Sequence, residues 1–212
     1  VMEILPCACG RKRRAKAKTW VCGCGAVQLT LEGEPYFNLD CHCSMCTKVS
    51  RHLDAQGGGG TSALVNGTGV AKAFYMLDKV AFDKGKGKIA GIKIGEAGQN
   101  VRSYTTCCNT LLIGDSPVPF AFRPFNRFAI KNSDGTPYVP NEPVWGCKGG
   151  GNSWYDAIPE PKHPGDPDWL VAKIQALEKP DHGMGGVGPH AGDPLPGLFP
   201  IPDECKLCIP KA

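Results

Sequence analysis

Val27, Leu29 and Leu31 alternate with Gln28 and Thr30, the period-two pattern of a strand with one buried face. Short apolar runs follow at 73–77, 80–82, 89–94 and 110–113, with Gly- or Asp-rich breaks between them. No long helical period occurs between residues 20 and about 115, so this stretch reads as β-structure. The pattern changes near residue 115. Seventeen of the 19 prolines lie between 117 and 210, which predicts turns and extended segments. Residues 167–179 are the exception. Asp166 can cap, Pro167 suits a first helical position, and Asp168 complements the helix dipole. Leu170, Ile174 and Leu177 share one face and Pro180 ends the helix, so a docking helix is predicted there.

Three parts result: a basic segment at 1–19, a β-domain at 20–160, and a Pro/Gly-rich extension at 161–212 carrying the helix. In the first part, Arg11, Lys12, Arg13, Arg14, Lys16 and Lys18 place six positive charges in eight positions. Such a run reads as a solvated tail, or as a binder of nucleic acid, tubulin or another acidic surface. Gly57–Gly60 reads as a flexible loop, because it lacks the Gly-Lys-Ser/Thr ending of a phosphate-binding loop. Lys84–Lys88 reads as a hairpin tip.

Composition narrows the class. The chain has 212 residues, 42% of them hydrophobic, with a net charge of +4, enough for a core and too mild to imply a strongly charged partner. No secretory signal or membrane-spanning run is visible. Twelve cysteines without such a signal favour metal over disulfides and an intracellular, reducing compartment, either cytoplasm or an organelle after loss of a targeting peptide.

Seven of those cysteines cluster tightly: Cys22-x-Cys24, Cys41-His42-Cys43-Ser44-Met45-Cys46, and Cys107-Cys108. Three thiols within six residues are badly placed to bridge one another, because a disulfide needs separated and suitably aimed Cβ atoms. They can instead converge on one zinc ion, leaving a fourth position open as in a catalytic site. Cys22-Gly23-Cys24-Gly25 resembles half a zinc knuckle and needs a second pair. Cys107-Cys108 is the natural candidate. Neighbouring side chains in a strand point to opposite faces, so either a local turn brings both to one ion or one alone is a ligand. Cys7-x-Cys9 and Cys205-x-x-Cys208 either form a further four-thiolate site, pair as disulfides or stay free. Cys147 has no evident partner and reads as a buried free thiol.

The order Cys22-Gly-Cys24-Gly25-Ala-Val27, Cys41-His-Cys43-Ser44-Met-Cys46, and Arg102-Ser-Tyr104-Thr-Thr-Cys-Cys108-Asn-Thr110-Leu111 resembles the glutathione-dependent formaldehyde-activating enzyme family, which includes the centromere protein V type. The resemblance covers residues 20 to about 115, with a weaker echo at Trp154–Pro159. It implies a mainly β fold, a zinc-binding β-sandwich or β-tent, with two zinc sites. Cys22, Cys24 and Cys108 match the structural site; the remaining family cysteine falls on Thr105, and Cys107 can substitute from a shifted register. Asn109 stands where the family carries Gly. Cys41, Cys43 and Cys46 match the three ligands of the catalytic zinc. Thr47 stands where the family often carries Arg.

The implied reaction condenses glutathione with formaldehyde to S-hydroxymethylglutathione, with zinc as cofactor and glutathione as co-substrate. Lys48 and Arg51 are then candidates to pair with glutathione carboxylates, or are ordinary surface charge. His42 is expected to point away from the metal. Three functions compete: a zinc-dependent carbon–sulfur lyase acting on a small thiol, a non-catalytic accessory subunit of a larger assembly reusing the fold, and a basic-tail binder of tubulin or nucleic acid.

Overall fold

The computed structural model describes residues 16–67, 69–94, 101–114, 122–141, 144–147 and 207–209. Thirteen strands are described, together with one α-helix and three 3-10 turns. In chain order they are β1 (Lys18–Val21), β2 (Gln28–Leu31), β3 (Phe37–Cys41), α1 (Ser44–Ala55), β4 (Leu64–Val65), β5 (Gly69–Met76), β6 (Val80–Lys84), β7 (Ile89–Ile94), β8 (Arg102–Thr105), β9 (Leu111–Gly114), β10 (Phe122–Asn126), β11 (Ile130–Lys131), β12 (Trp145–Cys147) and β13 (Leu207–Ile209). The protein is mainly β, as the alternating pattern predicts. The helix predicted at 167–179 lies outside the described residues, as do Cys7, Cys9 and Cys205.

The strands form two sheets. The smaller runs β11-β1-β2-β6; the larger runs β12-β3-β5-β10-β9-β8-β7-β13, with β4 added beside β5. Most neighbours are antiparallel, whereas β12 and β13 pair in parallel with β3 and β7. Strand alternation gives the larger sheet two apolar faces. One face, with Ala73, Tyr75, Leu112 and Phe125, packs against Trp20, Leu29 and Leu31 of the smaller sheet. The other, with Phe37, Leu39, Val70, Phe74 and Ile92, packs against Cys46, Val49 and Leu53 of α1. Helix α1 touches both β5 and β7, although three strands separate them in the sheet. The larger sheet therefore curls around the helix.

Helix α1 falls where no helical period is evident in the sequence. Cys43 supplies its N-cap: the backbone is extended there and the sulfur accepts a hydrogen bond from the Cys46 amide at 3.3 Å, the arrangement an N-cap side chain requires. Cys46, Val49, Ser50 and Leu53, four of its five buried positions, follow helical spacing. Two of these four are polar or sulfur-bearing, so the apolar stripe is thin.

Two smaller expectations change. Lys84–Lys88 does not tip a hairpin: β6 belongs to the smaller sheet and β7 to the larger, and a 3-10 turn at Lys86–Lys88 links them. Lys18 is not part of a solvated tail. It lies in β1 with an ion pair to Glu34, and its ammonium sits 5.3 Å from the Tyr138 ring centroid. Residues 11–15 lie outside the described chain.

The layer between the sheets predicts a steep contrast between two truncations. Leu29 is fully buried there, and Leu29→Ala should cost about 2–5 kcal/mol in urea unfolding. Val139, 72% exposed, should tolerate Val139→Ala within about 0.5 kcal/mol. Similar unfolding midpoints for the two variants would contradict the packing described.

Candidate functional site

Seven of the described cysteines gather into two clusters on opposite faces of the larger sheet. In one, the sulfurs of Cys41, Cys43 and Cys46 lie within 4.8 Å of one another; in the other, those of Cys22, Cys24, Cys107 and Cys108 do the same.

The three-sulfur cluster forms where β3 ends and α1 begins. Phe37, Leu39 and Cys41 share the α1 face by strand alternation. Cys43 follows as N-cap, and Cys46 lies in the first helical turn. The Cys41 thiol donates to the Cys43 sulfur at 3.5 Å. Thr47 is buried and its hydroxyl donates to the Cys43 carbonyl at 3.0 Å. His42 is also buried, its ring packed so closely on Gly69 that a Cβ there would lie 2.6 Å from it.

Two cations reach Cys46 from strands remote in sequence. Lys72 on β5 donates its ammonium to the Cys46 sulfur at 3.2 Å. Arg102 on β8 brings a guanidinium nitrogen to 4.0 Å of the same sulfur. Each shares a strand face with residues packed on α1: Lys72 alternates in phase with Val70 and Phe74, and Arg102 with Tyr104. Hydrogen bonds from Cys41 and Cys43 hold the Cys46 thiol well below its ordinary range; burial opposes this, and the charges of Lys72 and Arg102 add to it. The corresponding hydrogen bonds, with burial, push Cys41 well up. Burial alone would lower the Lys72 ammonium's pKa, but the facing sulfurs of Cys41, Cys46 and Cys43 raise it.

Cys46, Lys72 and Arg102 also border a small cleft, with room for little more than one water-sized group. Val70, Ala71, Leu111, Pro124, Phe125 and Asn126 complete its lining. Lys48 and Arg51 are not among the lining residues. Both lie on α1, where Lys48 is half-buried and Arg51 exposed; the Arg51 guanidinium donates to the Gly67 carbonyl at 2.8 Å. Strand register sets Cys147 on β12 opposite Cys41 on β3.

The four-sulfur cluster joins two turns. In the β1–β2 turn, the Val27 amide donates to the Cys22 sulfur at 3.2 Å, and that sulfur lies 3.6 Å from Cys24 and 3.9 Å from Cys107. In the β8–β9 turn, Asn109 takes a left-handed backbone, φ 58°, a conformation Asn tolerates next after Gly. Its amide donates to the Thr105 carbonyl at 2.8 Å. Residues 106–108 form the turn itself, so strand alternation does not separate Cys107 from Cys108. Thr105 contacts the Cys108 sulfur through its hydroxyl at 3.4 Å, and Thr110 does so at 3.2 Å. Burial pushes the Cys108 thiol up, but these hydroxyls and the amides of Cys24 and Thr110 outweigh it and bring it to about 6. Cys107, raised chiefly by burial, stands at about 12.

Gly57–Gly60 is a loop, as expected, but one pressed against this second cluster. A Cβ on Gly60 would lie 2.2 Å from the Cys108 carbonyl oxygen, and a Cβ on Gly23 would lie 2.2 Å from that of Gly59. The Thr110 hydroxyl accepts from the amides of Gly23 and Thr61, stitching the segments together.

The donor sets suit a thiophilic metal. Ligands about 2.3 Å from a tetrahedral ion stand about 3.8 Å apart, and the sulfur spacings of 3.5, 3.6 and 3.9 Å lie around that value. All seven cysteines are free of disulfides. Four thiols make a closed set and three make an open one. Fold and site together define a mainly β domain with two thiol clusters able to hold metal ions.

The sequence model for the glutathione-dependent formaldehyde-activating enzyme family matches residues 17–57. That segment carries β1, β2, β3 and α1, with five of the seven clustered cysteines. Over that segment the chain is similar to this family. No curated protein matches it. A crystal structure of a Rhodobacter sphaeroides protein is similar at 15% identity and a TM-score of 0.35, spanning 60% of this chain and 98% of that one.

The glycine contacts give a direct test of the second cluster. Gly60→Ala must displace backbone and should cost about 1–3 kcal/mol or more. Gly87→Ala, with nothing within 4 Å of the added carbon, should leave stability within about 0.5 kcal/mol. Chemical denaturation of both variants reads the difference; equal stability would mean the glycine strap is not packed as described.

Proposed function

We propose that the protein binds two zinc ions and is a carbon–sulfur lyase of the type that joins glutathione to formaldehyde. The single observation that supports this reading is the convergence of Cys41, Cys43 and Cys46 beside a cleft. These three would hold the reactive ion; Cys22, Cys24, Cys107 and Cys108 would hold a structural one. When bound, the metal lowers the pKa of an incoming thiol and steadies its thiolate. The chain's own residues do the rest. The β3 end and the α1 cap fix the three sulfurs before substrate arrives, which avoids an ordering cost during reaction. The apolar cleft lining, from Val70, Leu111 and Phe125, favours a desolvated reaction site. Lys48 and Arg51, on α1, remain candidates to meet glutathione carboxylates.

The reaction balances without an oxidant or reductant. The glutathione sulfur forms a bond to the formaldehyde carbon, the carbonyl π pair moves to oxygen, and that oxygen gains the proton the thiol gave up. A second reading, a non-catalytic accessory subunit, is favoured by a different observation. All three sulfurs are buried, and Lys72 already satisfies Cys46. A fold does not by itself fix an activity.

Two measurements separate these readings. Native mass spectrometry should find two zinc ions per chain, one for each cluster, and Cys43→Ser should retain one. Glutathione-dependent loss of ¹³C-formaldehyde, followed by NMR, should fall in Cys43→Ser by more than the about 10–100-fold typical of residues behind the ligands. Undiminished turnover in that variant would remove the lyase reading. Two bound zinc ions without any turnover in the parent protein would favour the accessory subunit.

A further inference from the structure

Lys72 and Arg102 carry more information than the thiol motif does. Both end at the Cys46 sulfur, at 3.2 and 4.0 Å, and both border the cleft that opens there. No carboxylate is among the described residues that line that cleft. Resting on the reading that Cys41, Cys43 and Cys46 hold a divalent metal, we propose that Lys72 and Arg102 select an anionic thiolate, rather than a neutral donor, as the ligand that enters from the cleft.

The reason is charge. Thiol ligands bind metal as thiolates, so three of them with a divalent ion sum to one negative charge. The Lys72 ammonium cancels it. An entering thiolate restores a negative charge inside a half-buried, largely apolar site, where an uncompensated charge is costly. The Arg102 guanidinium lies close enough to offset it, since opposite charges attract far more strongly in a partly desolvated site than in water. A neutral donor such as imidazole or water draws no comparable benefit from either cation. Lys72 and Arg102 thus act as specificity-determining residues for a small thiol.

The geometry also separates these two residues from Lys48 and Arg51. Those lie on the helix, and the Arg51 guanidinium serves the Gly67 carbonyl. Lys72 and Arg102 are held by strands β5 and β8, on the face that packs against α1. Strand-borne cations keep a fixed distance to the sulfur, as selectivity by charge requires.

The experiment uses the full chain loaded with cobalt and titrated separately with glutathione, 2-mercaptoethanol and imidazole. The sulfur-to-cobalt charge-transfer absorption reads binding at the metal without any turnover. Both thiols should bind saturably and more tightly than imidazole. Lys72→Met should weaken both thiols by about ten- to hundredfold, the value of a charge-assisted contact, and leave imidazole unchanged. Lys72→Arg should restore thiol affinity. If Lys72→Met does not fold by circular dichroism, the pair Arg102→Met and Arg102→Lys makes the same comparison. Thiol affinity unchanged in the charge-removing variants, or an equal loss for imidazole, overturns the inference. Lys72-dependent thiol binding in a protein that never consumes formaldehyde keeps the inference and removes the lyase reading. Formaldehyde consumption with Lys72-independent thiol affinity does the reverse.

Discussion

The hydrogen bond from the Cys46 amide to the Cys43 sulfur starts helix α1 and sets the thiol cluster at the same time. Without a cap, the first amides of a helix have no partner. Ser, Thr, Asp or Asn usually meets that need with oxygen; here a sulfur does. Cys43 is therefore tied to the helix start, Cys46 must follow one turn later, and Cys41 is the last residue of β3. The spacing that looks like a metal motif is also the spacing of a strand end, a cap and a first turn. The positive end of the helix dipole lies at this point and favours thiolate over thiol, in the same sense as Lys72 and Arg102.

Using both faces of the larger sheet keeps the two clusters apart. The three-sulfur cluster lies with α1 on one side, and Cys22 and Cys108 lie in the layer between the sheets. Each cluster also has its own means of favouring a thiolate. At Cys46 it is neighbouring thiols and full charges. At Cys108 it is chiefly hydroxyls and backbone amides. Neutral dipoles suit a set of four sulfurs, which is enough by itself to fill a tetrahedral site. Full charges held on strands suit a cluster that borders a cleft.

Strands were legible where one face is apolar and the other polar, as in Val27–Leu31, and the cysteine clusters were legible as clusters. Helix α1 was not, because its buried stripe consists of Cys46, Val49, Ser50 and Leu53. When cysteine is read as a ligand, only two apolar positions remain to show a period. The pairing of Cys107 with Cys108 was left open by strand alternation; a turn at 106–108 with left-handed Asn109 resolves the geometry, and no period in the sequence marks it. Lys72 belongs to no motif, and the motif that Arg102 opens does not mark it as a neighbour of Cys46. They stand 26 and 56 residues from Cys46, and only the curl of the sheet brings them to it. In hindsight, strand phase offered one signal. A lysine in phase with Val70 and Phe74 breaks an otherwise apolar face, and a buried cation needs an anion opposite.

The same helix links the clusters. Its first turn holds Cys46, and its C-terminus runs through Gln56 into the glycine strap. Gly58 and Gly60 of that strap rest on the Cys108 backbone, and Asn109 returns a side-chain hydrogen bond to the Gly57 carbonyl at 3.1 Å. Helix α1 is thus fixed at one end by the three-sulfur cluster and at the other by the four-sulfur cluster. A helix of 12 residues spans roughly 18 Å, so whatever tightens the second cluster restrains the helix along its whole length. The four-sulfur cluster then does more than stabilise two turns. By holding the far end of α1 it limits how far Cys46 can drift from Cys41 and Cys43, so the spacing of the three sulfurs depends on that restraint.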